Sequence, residues 1–345
     1  MPEQLLCTAP GELAWQEYED GEAPAGQFRI QCQFGSTKHG TEMARFKGYQ
    51  CQRGSYDEKL QMFVGSSPRI GYPMPVGNMN VGLVTQVGAE VSDVAPGDRI
   101  LAYGPFQQTL VVVAEQRDRM WWRVPEHVSW QAAVCIDPAT YALAAIRDGQ
   151  VRIGDAVAVF SMGAIGLMAV QCAKLAGAFP VIAVEPLANR RAAAAALGAE
   201  LVLDPTSCDA GERIRQATGG RGVDVAIEYS GHHLALQHAI RGAAFGGTVV
   251  CGAYPPPYEA GLDLGAEAHF NRPTIVFSRA CSDPGRDHPR WDEQRVKDAC
   301  WSLICAGRLS GEQVVGPVVD YERAMSEYAK IATDPDQNIK LSVRY

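Results

Sequence analysis

Short apolar runs separated by Gly/Pro turns make up the first third of the chain, and the spacing of hydrophobic positions changes near Ser129. Phe28 to Phe34 reads as a strand, Val81 to Val87 alternates apolar with polar, and Leu110 to Ala114 is another strand. Ala95-Pro96-Gly97-Asp98 is a strong turn signal between them. The polar stretch GSTKHGTEMARFKGYQ reads as a loop. These features predict a small irregular β-barrel over residues 1–128. From Ser129, placed to cap a helix running to about Arg147, strands and helices alternate. Helices are expected at 188–197, 208–217 and 234–243, and strands at 200–203, 223–229 and 248–251. That order predicts a doubly wound parallel sheet over 129–273, with ligand at the carboxyl ends of its strands. A strand at 274–278, helices at 293–305 and 321–331, and an alternating strand from Ile339 to Tyr345 predict that 274–345 returns to the first domain. The fold class is α/β.

One segment organises the second domain: AVAVFSMGAIGLMAVQCAKLAGAFPVIAVE, from Ala156 to Glu185. It reads as buried strand, turn, helix, buried strand and acid, the order a dinucleotide site needs. Ile165, Met168, Ala169, Cys172 and Ala173 share one helix face, and Gly177 is placed to stop it. At Gly163 the missing Cβ lets backbone approach a pyrophosphate, and Gly166 lets the helix pack close to the strand. The first turn, with Ala164 and Ile165, offers N–H groups to phosphates. Glu185, 19 residues after Gly166, is placed to accept hydrogen bonds from ribose hydroxyls and to repel a 2′-phosphate. NAD is therefore favoured over NADP, while Arg190 and Arg191 pull the other way. Ser161 stands at the first glycine position of the motif, which is SxGxxG. A serine suits most tight turns but not one that demands positive φ.

Composition narrows the function class. The net charge of −8 gives no electrostatic footprint for nucleic acid or an anionic membrane. There is no 18-residue apolar run and no basic-then-apolar start, so neither a membrane span nor a signal peptide is expected. The ten cysteines are scattered with no CxxC pair, several inside apolar runs, which suits a reduced cytoplasmic protein.

The β-rich start, VGAEVSDVAPGDRI, the SxGxxG loop, LGAELVLD (Leu197 to Asp204) and GGTVVCGAY (Gly246 to Tyr254) occur in the order of a known superfamily. The chain resembles the medium-chain dehydrogenase/reductases, the zinc alcohol dehydrogenase and quinone reductase group. The resemblance implies a GroES-like catalytic domain joined to a Rossmann domain, usually as a homodimer or homotetramer. It also implies a position for a catalytic zinc, and there the sequence departs. The family's first ligand, a Cys in C-G-T-D, is replaced in His39-Gly40-Thr41-Glu42. The second, the His of G-H-E-x-x-G, is replaced in Gly77-Asn78-Met79-Asn80-Val81-Gly82. Cys135 corresponds to the third, and the four-Cys structural lobe is missing. A catalytic zinc needs three good ligands, so no metal is expected. The HGTE segment, Arg290-Trp291-Asp292 and the C-terminal IKLSVRY resemble a metal-free branch that includes bacteriochlorophyllide-type hydroxyethyl dehydrogenases.

Without zinc, a side chain must polarise or deprotonate the substrate oxygen while the nicotinamide carbon is held at near-attack distance. The resemblance implies that Thr41 bonds that oxygen and starts a proton relay; a loop hydroxyl bonding local backbone is the alternative. His39, with an ordinary pKa near 6.5, suits a general base, or is a solvated loop histidine. Asp137 and Tyr141 open the central helix: Asp137 binds a hydroxyl, acts as base, or stabilises the helix start ahead of Pro138, and Tyr141 lines the substrate pocket or packs in the core. Lys38, Asn78 and Asn80 are candidate substrate contacts, with solvated or turn roles as the alternatives. Ser230, Gly252, Ala253 and Tyr254 follow strand ends that approach the cofactor, whereas His232, His233 and His288 read as surface or structural. The leading expectation is an NAD-dependent, zinc-independent oxidoreductase acting on a secondary alcohol or its ketone, with the polar candidate set suiting a sugar, polyol or cyclitol. The alternatives are an NADPH-dependent quinone or enone reductase and a dinucleotide-binding protein without turnover.

Overall fold

Residues 1–49, 54–65, 71–115, 120–259 and 261–345 are described by the structure, a computed structural model. The chain divides into two compact units, Met1–Val134 with Gly316–Tyr345, and Cys135–Val315.

The first unit is built around the strand Gln27–Ser36, whose alternation buries Phe28, Ile30 and Cys32 on one face. It pairs antiparallel with Met79–Val87, Thr109–Val113 and Ser342–Arg344. Among the described residues this mixed sheet has seven strands and runs Trp121–Arg123, Arg99–Tyr103, Met79–Val87, Gln27–Ser36, Ser342–Arg344, Val318–Asp320, with Thr109–Val113 paired to the central strand off that path. Trp121 closes one core edge-on against Phe28, with ring centroids 5.1 Å apart. Phe46, Phe106, Tyr328 and Leu341 belong to a second core. The polar stretch read as a loop contains a helix, His39–Phe46. Its polarity conceals one buried face, with Glu42 and Phe46 one turn apart and Phe46 in the second core.

The second unit carries the parallel sheet. Its strands run Leu201–Leu203, Val181–Val184, Val157–Phe160, Val223–Glu228, Ala243–Cys251, Thr274–Phe277. Strand order reverses between Val157–Phe160 and Val223–Glu228, which is where a doubly wound sheet binds its ligand. The four residues Val157–Phe160 are buried throughout, as a strand covered on both faces must be. Thr274–Phe277 is the sixth strand of this sheet, and the helix Glu293–Cys305 packs on the helix Ile136–Asp148. The segment that joins the first unit therefore starts at Gly316 rather than near residue 274. The helix expected from Ser129 to Arg147 is two helices. Ser129 caps Trp130–Ala133 by accepting from the Ala132 N–H, and the longer helix opens at Ile136. The Pro138 ring would clash with the Val134 carbonyl in a continuous helix, which accounts for the break.

Candidate active site

The glycine turn follows the buried strand Val157–Phe160. Ser161 sits at φ 77°, a left-handed conformation that serine disfavours, and its N–H bonds the Val184 carbonyl at 2.9 Å. The expectation that serine would avoid positive φ here is corrected: the turn keeps a glycine-type geometry with a serine in it. Ser161→Gly should relieve that strain, offset in part by the greater freedom of glycine in the unfolded chain, for a net gain of up to about 1 kcal/mol. Urea unfolding measures it, and a loss of stability would show that the hydroxyl holds the turn.

Gly163 caps the helix Ala164–Leu175 with no side-chain bond. The first-turn N–H groups of Ala164, Ile165 and Gly166 are thus left for an anion. A Cβ on Gly163 would meet only the Ser161 Oγ, at 3.9 Å, whereas one on Gly166 would lie 1.7 Å from the Ser161 carbonyl oxygen.

Glu185 ends the neighbouring strand and is only 2% exposed. Its carboxylate accepts from the Met162 N–H at 2.6 Å and the Leu187 N–H at 3.1 Å. These bonds tie the acid to the glycine turn and fill two of its roughly four acceptor positions. Arg190 is half-buried in the helix Ala188–Ala196. Arg191 is committed: it donates to the Glu185 and Pro186 carbonyls and pairs with Asp204 at 3.1 Å.

Across the switch point, Ser230 follows Glu228, a buried carboxylate that sequence reasoning missed. Glu228 accepts from the Ser230 N–H at 2.5 Å, the Ser230 hydroxyl, and the Gly231 N–H at 3.0 Å. Burial pushes its carboxyl above the ordinary glutamate range, against the pull of those donors. Gly252 and Ala253 follow the next strand, and Tyr254 beyond them is 43% exposed. In the helix Ile136–Asp148, Asp137 is buried in the first turn. Tyr141 points its hydroxyl at the Cys281 sulfur, 3.6 Å away, and its carbonyl accepts from the Tyr229 hydroxyl at 2.7 Å.

In the first unit the candidate residues gather at one end of the sheet. The Asn78 N–H bonds the Ser36 carbonyl, and both the Asn78 Nδ2 and the Ser36 Oγ are buried with no hydrogen-bond partner among the described residues. Buried polar atoms of that kind mark a place for water or ligand. Thr41 is half-buried, and no hydrogen bond of its hydroxyl is seen among the described residues. Lys38, half-buried, gives its N–H to Glu42, whose other oxygen accepts from the Gly77 N–H at 3.0 Å.

Two candidates are otherwise employed. The Leu341 N–H donates to the His39 Nε2 at 2.9 Å, which engages the lone pair that this nitrogen would use as a base or a ligand. Asn80 is fully buried: its Nδ2 donates to the Gly104 and Pro105 carbonyls and its Oδ1 accepts from the Tyr345 hydroxyl, so it is a core amide rather than a substrate contact. A second carrier of structure that the sequence hid is Lys340, 2% exposed, whose Nζ donates to the Thr37 carbonyl at 2.5 Å. Among the described residues no three His, Cys, Asp or Glu side chains are grouped as a metal ion requires. With the His39 Nε2 engaged and a carboxamide at residue 78, this donor set does not fit a catalytic zinc.

Comparison with known proteins agrees with this architecture. Residues 164–293 match the zinc-binding dehydrogenase family. The chain is 41% identical to D-guloside 3-dehydrogenase of Escherichia coli K12, over 99% of both chains. A Sinorhizobium meliloti 1021 protein of the zinc-binding dehydrogenase type, bound to NADP, superposes with a TM-score of 0.78 at 20% identity, covering 100% of this chain and 99% of that one. An alcohol dehydrogenase of Escherichia coli CFT073 complexed with NADH has a TM-score of 0.77 at 19% identity, with the same coverage. The chain belongs to the medium-chain, zinc-type alcohol dehydrogenase-like superfamily, as an alcohol- or polyol-dehydrogenase-like oxidoreductase.

Proposed function

We propose that this protein is an NAD-dependent, zinc-independent dehydrogenase that oxidises a secondary hydroxyl of a sugar, polyol or cyclitol, or reduces the matching ketone. The observation that carries the zinc-independent reading is the donor set: the His39 Nε2 is held by the Leu341 N–H, and Asn78 offers only an amide. NAD preference is supported by the buried Glu185 carboxylate at the glycine turn and by the commitment of Arg191 to Asp204. The sugar class is supported by the relative named D-guloside 3-dehydrogenase, which matches along its whole length.

The bound nicotinamide would accept or donate the hydride. The chain's own residues then have separate tasks. Ala164, Ile165 and Gly166 bind the pyrophosphate through backbone N–H groups, and Ser230, Gly252, Ala253 and Tyr254 contact the remainder of the dinucleotide. Thr41 hydrogen-bonds the reacting oxygen and passes its proton on. His39 is not assigned as the base, because the Leu341 N–H already engages its Nε2. The Asn78 Nδ2 and Lys38 hold further substrate hydroxyls.

A cytoplasmic homodimer or homotetramer belongs to the same reading. The described cysteines form no disulfide, which suits a reducing compartment. Phe277, on the outer strand of the parallel sheet, is 77% exposed, which favours a covered edge.

The test combines metal analysis with turnover of glycosides, polyols, simple secondary alkanols and enones, using NAD and NADP. Sugar oxidation with NAD, unaffected by chelator, is expected. Thr41→Val should lower kcat about 100-fold or more while leaving NADH binding unchanged. One tightly held, essential zinc per chain, or turnover of alkanols alone, would overturn the reading. NADPH-driven enone reduction would move the protein to the quinone reductase class.

A further inference from the structure

Glu228 is a buried carboxylate that the hydride chemistry does not use, at the end of the strand that borders the switch point. In register it lies beside Phe160 on one side and Cys251 on the other. Its oxygens gather the Ser230 N–H, the Ser230 hydroxyl and the Gly231 N–H, so three donors of one turn converge on one side chain. The Ser230 hydroxyl in turn accepts from the His232 N–H at 3.0 Å, where the helix His233–Gly242 begins.

This turn interlocks with the loop after the next strand. A Cβ on Gly252 would lie 2.3 Å from the Tyr229 ring, so that ring fills the space glycine leaves. The Gly252 N–H donates to the Glu228 carbonyl at 2.9 Å. Gly231, at φ 69°, faces Pro255 and Ala253, where a Cβ would come within 3.1 and 3.3 Å of their Cβ atoms. Moving either loop moves the other, and Glu228 is the only side chain whose carboxylate ties the 229–231 turn back to its own strand among the described hydrogen bonds.

We propose that Glu228 is the positioning residue of the dinucleotide site, setting the loops Tyr229–Gly231 and Gly252–Pro255 at the spacing that binds the cofactor. The inference rests on the nicotinamide reading given above. It requires that removing the carboxylate weaken cofactor binding in protein that is still folded.

NADH binding to the full-length protein, followed by energy transfer from tryptophan, tests it. Glu228→Gln keeps an acceptor oxygen and should raise the NADH Kd less than about 3-fold. Glu228→Ala should raise it about 10-fold or more. Glu228→Asp keeps the charge but shortens the reach by a methylene, and should also raise the Kd about 10-fold, which keeps the test alive where the alanine variant fails to fold. Rescue by Gln against loss in Asp separates positioning from mere stabilisation, which would lower Tm and leave the Kd of folded protein unchanged. Folded Ala or Asp variants that bind NADH within twofold of wild type overturn the role of Glu228. A wild-type protein that binds neither NADH nor NADPH overturns the dinucleotide reading instead.

Discussion

Gly166→Ala is expected to destabilise the second unit by about 3 kcal/mol or more and to abolish dinucleotide binding. A methyl group at this position would sit 1.7 Å from the Ser161 carbonyl oxygen and 2.9 Å from its carbonyl carbon. Both atoms are backbone, so no rotamer change relieves the contact. The Ser161 peptide is itself held, because its N–H bonds the Val184 carbonyl at 2.9 Å and its φ of 77° leaves little room for adjustment. Either the helix Ala164–Leu175 lifts from the strand or the turn is remade, and both displace the first-turn N–H groups. Thermal unfolding should show a fall of about 6–12 °C for a unit of this size. Gly163→Ala is the control. Its Cβ meets only the Ser161 Oγ, at 3.9 Å, and the change from Gly to Ala at a helix cap should cost about 1 kcal/mol or less. Adding Ser161→Gly to Gly166→Ala should recover part of the loss, because a glycine at 161 lets the clashing carbonyl turn away. A Gly166→Ala protein melting within 2 °C of wild type, with NADH still bound, would refute the close-approach account.

The nucleotide unit was readable because its signals are local. Buried strands, a glycine turn and an acid at the second strand tip all lie within thirty residues of sequence, and the parallel sheet they predict is observed, with Thr274–Phe277 added as a sixth strand. The left-handed Ser161 was not readable, since the turn imposes its φ through the packing at Gly166. Asn80 misled because strand alternation does not say whether an amide meets ligand or its own core; Tyr345, 265 residues later, supplies the hydroxyl it accepts. His39 has the same cause, its Nε2 being engaged by an N–H 302 residues away. Glu42, Glu228 and Lys340 escaped notice because each serves backbone groups. Nothing in residue type or spacing reports which peptide N–H or carbonyl will be turned towards a side chain.

These long-range bonds share a geometry. The C-terminal stretch Lys340–Leu341 returns beside Thr37 and His39: the Leu341 carbonyl accepts from the Thr37 N–H and hydroxyl, its N–H donates to His39, and the Lys340 Nζ reaches the Thr37 carbonyl. The entrance to the helix His39–Phe46 is therefore held by the last strand segment from one side. Glu42 holds it from the other, joining that helix to Gly77 and so to Asn78. The candidate residues Thr41 and Asn78 make few bonds of their own and are placed by neighbours that make many, which leaves their polar atoms available to a substrate.

Glu42→Ala should accordingly destabilise the first unit by about 4 kcal/mol. The side chain is 6% exposed, and its carboxylate serves the Lys38 N–H and the Gly77 N–H. Removing it strands two part-buried donors, each worth about 1–3 kcal/mol when left without a partner. That sum exceeds the burial of the side chain's methylenes, at about 0.8 kcal/mol for each CH₂. Glu42→Gln keeps the volume and one acceptor oxygen but turns an NH₂ group towards a backbone N–H, and should cost about 1–2 kcal/mol. Turnover separates support from chemistry. Because Glu42 holds the Lys38 and Gly77 backbone beside the proposed substrate contacts, the folded Gln variant should lose kcat while its NADH affinity stays at the wild-type value. Urea unfolding of the two variants beside their steady-state kinetics decides the point. An alanine variant within 1 kcal/mol of wild type would mean that the carboxylate is solvated, and a Gln variant with unchanged kcat would detach the HGTE helix from the reaction.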